Sequence, residues 1–131
     1  MAAPITALYA SLIGLLLIYL ALRVVKARRA QSIGLGTGGD KNVEHAMRVQ
    51  ANATEYAPIA LILMVLLELN GAAPWLLHGL GAAFVFARLY HLQGFGGSTG
   101  VSKGRMVGTA LTWLVIIVAA VGNLAGFFML P

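Results

Sequence analysis

At 131 residues the chain is long enough for one domain. Hydrophobic residues make up 60% of it and charged residues 10%, with a mean hydropathy of +0.86, so a water-soluble globule would lack the polar side chains to cover its surface. The net charge of +5 includes no basic run interleaved with aromatics, which argues against a nucleic-acid partner; the absence of cysteine excludes disulfides, thiolate nucleophiles and Cys-ligated metals.

Residues Ile5 to Leu22 form an uncharged run of eighteen residues, which as a helix covers about 27 Å and predicts the first membrane span. Its flanks are the reverse of a cleaved signal peptide: Met1-Ala2-Ala3-Pro4 is neutral, and Arg23, Lys26, Arg28 and Arg29 follow the apolar run. By the positive-inside rule these cations place the C-terminal end of the helix in the cytoplasm and the N-terminus outside. The segment Ala30 to Asn42 is a glycine-rich connector. Gly34-Leu35-Gly36-Thr37-Gly38-Gly39 matches a dinucleotide-binding pattern, but that pattern has physical meaning only between a strand and a helix, and a membrane helix precedes it here.

From Val43 the chain reads as one long helix, polar in its first half and apolar in its second. Asn70-Gly71 supplies a turn, and Pro74 suits the first position of the next helix. Trp75 to Gln93 is the third helix, with Gly79, Gly81, Ala82 and Ala83 offering a small face, and Gly94 to Gly104 is a second glycine-rich loop. The fourth helix runs to Leu130 and contains Gly104-x-x-x-Gly108 and Gly122-x-x-x-Gly126, spacings that let helices approach closely. The expected architecture is therefore an all-α integral membrane protein, a bundle of four transmembrane helices. It forms one domain over 1–131, with helices at about 5–29, 43–70, 74–93 and 105–130. Both termini lie outside and both glycine-rich loops are cytoplasmic.

Counting a full span back from Asn70 sets Asn52 and Glu55 inside the bilayer, where ionisable groups are costly and usually functional. At 100° per residue Arg48, Asn52 and Glu55 share a face of about 60°, and His45 and Tyr56 widen it to about 100°. Gln50 points to the other side. Arg48 and Glu55 are separated by about 10 Å of helix rise, too far for easy contact, so each needs another partner. Arg88 lies about 21 Å along the third helix from Pro74, at the matching depth, and pairing it with Glu55 would make the arrangement purely structural. The alternative is a pocket of guanidiniums, one carboxylate and an amide, which complements a small anion carrying one ammonium group.

Arg48-x-x-x-Asn52-x-x-Glu55-Tyr56-x-Pro58, with Glu44 four positions before Arg48, resembles the second-helix signature of the MAPEG family, the membrane-associated proteins in eicosanoid and glutathione metabolism. Ala27-Arg28-Arg29 and Phe86-Ala87-Arg88-Leu89 followed by Gln93-Gly94 extend the resemblance over nearly the whole chain. It implies a homotrimer that binds glutathione as co-substrate between subunits near the cytoplasmic side of a bacterial inner membrane. Arg48, Asn52, Glu55 and Tyr56 would contact it from one subunit, and Arg28, Arg29 and Gln50 from the neighbour. Enzymatic members hold the glutathione thiolate with an arginine, because a nearby cation lowers the thiol pKa. In the ungapped register that arginine position falls on Ser102, which leaves Arg105 or Arg29 as the catalytic cation, and two ligand-binding tyrosine positions fall on His91 and Phe95.

The resemblance implies a glutathione-dependent transferase or peroxidase acting on hydrophobic electrophiles that enter from the lipid. Two other functions fit the sequence less fully: a non-catalytic binder of lipid or glutathione, and a small four-helix transporter. The transporter reading lacks the acid that such proteins place in their first helix. His78 has no second ligand at helical spacing and is read as a packed or interfacial histidine rather than a metal ligand.

Overall fold

The computed structural model describes residues 1–93 and 103–129. The expected glycine-rich loop up to Ser102, Phe95 within it, and Leu130 lie outside those residues. Among the described residues four helices run in order: α1 (Pro4–Ala30), α2 (Lys41–Leu69), α3 (Pro74–Gln93) and α4 (Lys103–Met129).

Each boundary has a local cause. Pro4 sits in the first turn of α1, where its missing N–H costs nothing. The Asp40 side chain accepts from the amides of Asn42 and Val43, both at 2.9 Å, and this cap starts α2 at Lys41, two residues before the position read from the apolar pattern. At the other end of α2 the amide of Gly71 donates to the Glu68 carbonyl and that of Ala72 to the Leu67 carbonyl, each at 3.0 Å. This is a Schellman closure, and the positive φ of Gly71, 80°, is the conformation it requires.

The connector between α1 and α2 is built of turns and bends with no strand, so the glycine pattern there lacks the context of a nucleotide site.

The side chain of Glu68 reaches across the bundle. Its carboxylate accepts from the backbone N–H groups of Ile5, at 2.8 Å, and Thr6, at 2.6 Å. It caps the N-terminus of a different helix, satisfying two amides that have no intrahelical partner and meeting the positive end of the α1 dipole. Glu68→Gln keeps the shape but removes the charge and one acceptor, and is expected to destabilise the bundle by about 1 kcal/mol. Thermal unfolding in detergent micelles reads this directly, and a midpoint equal to wild type would contradict the capping role.

The core is made where the helices cross. Ile13, Met64, Leu77, Phe84, Val115 and Ala119 pack into one apolar cluster, and Leu20, Val49 and Ala53 form a second between α1 and α2. Close approach depends on particular glycines. A Cβ on Gly81 would overlap the Tyr9 ring of α1, and a Cβ on Gly108 would meet the backbone of α3. Beyond the core the surface is apolar: Leu15 is 71% exposed and Phe127 68%. Such an outside suits lipid rather than water.

By length and composition α1, α2 and α4 are each able to cross a membrane. α3 has 20 residues and falls outside that group, because His78, Arg88, Tyr90 and His91 dilute its apolar run. It is nevertheless packed along α4 and touches α1 and α2. Two of its polar groups, Arg88 and His91, are turned inward and buried, while His78 is exposed.

Candidate functional site

The C-terminal ends of α1 and α3 and the N-terminal ends of α2 and α4 meet at one end of the bundle, and there a half-open cavity of about 590 Å³ lies against the first turns of α2. Lys41, Glu44, His45, Arg48, Ala51, Asn52 and Glu55 line it from α2, His91 from α3 and Arg105 from α4. The α2 residues recur at intervals of three and four, so one helical face supplies most of the wall. That face carries Lys41 and Arg48 against Glu44 and Glu55, and Arg105 adds a third cation from across the cavity.

Arg88 lies behind the wall and is 3% exposed. Its Nη1 donates to Asn52 Oδ1 at 2.8 Å, and its Nη2 donates to Thr112 Oγ1 at 2.6 Å and to the Gly108 carbonyl at 3.1 Å. Thr112 in turn donates to the Gly108 carbonyl at 2.9 Å. One guanidinium thus joins α3 to both α2 and α4. It turns to these neutral oxygens rather than to Glu55, which stays exposed on the cavity wall; the purely structural pairing of Arg88 with Glu55 is not what the fold adopts.

Among the residues expected from sequence, Arg48, Asn52, Glu55, His91 and Arg105 come together at this cavity within a single chain. Tyr56 is half-buried at the edge of the polar face and off the cavity wall. Gln50 is on the far side of α2. Arg28 points its Nη2 at the Met47 sulfur, 3.4 Å away, and Arg29 is exposed near the end of α1. Neither arginine lines the cavity of its own chain. Lys41 was missed because the helix was started too late; it lies one turn ahead of His45 on the same face. Thr112 was missed as well, although a threonine four residues after a glycine in an otherwise apolar helix is a legible signal for a buried polar contact.

These features define a class: an all-helical membrane protein with a charged cavity at one end of its bundle. The chain belongs to the MAPEG family, whose profile matches residues 6–125. It is similar to inner membrane protein YecN of Escherichia coli strain K12, with 36% identity over 120 residues covering 92% of this chain and 90% of that protein. It is also similar to leukotriene C4 synthase of Bos taurus, at 35% identity over 123 residues covering 89% of this chain and 79% of the relative. The Mus musculus leukotriene C4 synthase is 32% identical over the same shares.

Proposed function

We propose that this protein is a glutathione-binding membrane protein acting as a glutathione transferase or peroxidase on hydrophobic electrophiles drawn from the lipid phase. The observation that carries the reading is the cavity wall itself: three cations, two carboxylates and one amide facing a space large enough for a tripeptide. Glutathione carries two carboxylates and one ammonium group. Arginine binds carboxylate through two parallel hydrogen bonds, and a glutamate accepts from ammonium, so the charges of the wall and of the ligand complement each other.

In this reading residues 1–131 form one domain of four transmembrane helices, with both termini outside and the cavity on the cytoplasmic side of a bacterial inner membrane. Three copies assemble, and Arg28, Arg29 and Gln50, which face away from the cavity of their own chain, reach the ligand held by a neighbour. Arg48, Asn52, Glu55, Tyr56 and His91 hold glutathione from one subunit. Arg105, or Arg29 of the neighbour, stabilises the thiolate after the thiol proton leaves to water. With an aromatic halide, the sulfur forms a bond to the ring carbon and halide departs with the electron pair of the bond that breaks.

Detergent-purified protein is expected to bind glutathione saturably and to conjugate it to an aromatic halide. Glu55→Ala removes the ammonium partner and is expected to weaken binding by tenfold or more, about 1.4 kcal/mol. Absence of both binding and turnover in the wild-type protein would remove the reading. The histidine at position 91 and the serine at position 102, where enzymatic members resemble one another in carrying tyrosine and arginine, favour a second reading as a binder without chemistry. Saturable binding with no turnover across several electrophiles would select it.

A further inference from the structure

Burying a guanidinium is costly unless its donors are met; Arg88 meets neighbours through Nη1 and Nη2, without a carboxylate among them, and its buried Nε has no hydrogen-bond partner. Asn52 Oδ1, Thr112 Oγ1 and the Gly108 carbonyl are all neutral. A guanidinium can only donate. The atom that Asn52 turns toward Arg88 must therefore be its carbonyl oxygen, and the amide nitrogen with its two N–H groups occupies the other branch of the side chain. Asn52 is also part of the cavity wall.

Thr112 adds direction to this arrangement. Its single proton is committed to the Gly108 carbonyl, so a lone pair faces Arg88 and the hydroxyl cannot swing round to act as a competing donor. The positive charge further polarises the Asn52 carbonyl, which makes the opposite N–H groups stronger donors. Arg88 does not line the cavity itself.

We propose that Arg88 is a positioning residue that locks Asn52 as a donor toward the cavity, so that the site selects a ligand offering a carboxylate or carbonyl oxygen at that point. The proposal rests on the glutathione reading and adds the polarity of one subsite to it. Thr112 and the Gly108 carbonyl hold Arg88 from α4, so the α3–α4 packing sets the hydrogen-bonding sense of a residue on α2.

The test is calorimetric titration of the detergent-purified protein with glutathione, alongside its thermal midpoint. Asn52→Asp keeps an oxygen for Arg88 but replaces the donor with an acceptor. It is expected to weaken binding by roughly tenfold or more while the midpoint stays at or above wild type. Arg88→Lys cannot bridge the three acceptors, and is expected to weaken binding by roughly tenfold when Asn52 is present but by less than about twofold in an Asn52→Ala background. If Arg88→Lys fails to fold, Thr112→Val replaces it, since that change removes one acceptor without altering the cavity wall. Wild-type affinity in Asn52→Asp, or equal weakening by the Arg88 or Thr112 change in both backgrounds, overturns the positioning role and leaves the glutathione reading standing. No binding of glutathione by the wild-type protein overturns both.

Discussion

Arg105→Ala is expected to lower glutathione conjugation by roughly 100-fold at pH 7 while leaving glutathione binding measurable. Arg105 projects from the first turn of α4 into the cavity, opposite the α2 face that carries Arg48, Asn52 and Glu55. An unperturbed thiol titrates near about 8.5, so only a few per cent is thiolate at pH 7. A guanidinium beside the sulfur favours the charged form and moves that titration down, and the thiolate is the species that attacks.

The sign for pH follows directly. Activity rises with pH as thiolate forms, and removing the cation moves the rise upward, so the deficit of the variant is largest near neutrality and shrinks toward pH 9. Conjugation rates measured across this range, together with the ultraviolet absorbance of bound thiolate, check both parts. Unchanged turnover and an unchanged pH profile would reject Arg105, and the same assay on Arg29→Ala would then test the cation contributed by a neighbouring subunit.

Gly108→Ala is expected to cause a large structural loss for a single added methyl group. A Cβ at that position lies 2.7 Å from the Ala87 carbonyl oxygen, 2.7 Å from His91 Cβ and 2.9 Å from the His91 amide nitrogen. None of these can move as the end of a flexible side chain does, so α4 would have to shift away from α3. Overpacking of this kind costs about 1–3 kcal/mol. It would also pull the Gly108 carbonyl and Thr112 away from Arg88 and displace Arg105, three residues earlier on α4. Loss of stability and loss of glutathione binding should therefore appear together. Gly126→Ala is the control: no heavy atom lies within 4 Å of a Cβ there, and the change is expected to be neutral or to stabilise by up to about 1 kcal/mol through helix propensity. Equal thermal midpoints for the two variants would show that the α3–α4 approach at Gly108 is not limiting.

The contrast between Gly108 and Gly126 illustrates what a sequence pattern can and cannot carry. Both pairs of glycines have the spacing of a close helix contact, and the pattern is the same in each. Of these four only Gly104 and Gly108 are buried, while a Cβ on Gly122 would meet only the Leu67 side chain and one on Gly126 would have no heavy atom of another part of the chain within 4 Å. Spacing states that a helix has a narrow face; it does not state which neighbour lies against that face.

Much of the site was legible nonetheless. The polar face of α2 follows from positions 45, 48, 52 and 55, because the helical repeat is fixed by backbone geometry and needs no knowledge of the neighbours. The matching depth of Arg88 also followed from rise per residue. The partner of Arg88 did not, since Glu55 and Asn52 lie at nearly the same height and only the crossing of α3 against α2 decides between them. Glu68 shows the same limit more plainly: its ligands are the first amides of α1, more than sixty residues away in sequence.

The sequence by itself determined the medium, the helical class, the family and the face that carries charge, since hydropathy and periodicity are properties of each segment alone. The tertiary structure decided that Arg88 takes Asn52, Gly108 and Thr112, that Glu68 caps α1, and that His91 and Arg105 close the cavity begun by α2. Those outcomes depend on interhelical distances of a few ångströms, set by where glycines such as Gly81 and Gly108 let backbones touch, and no pattern within a single helix contains them.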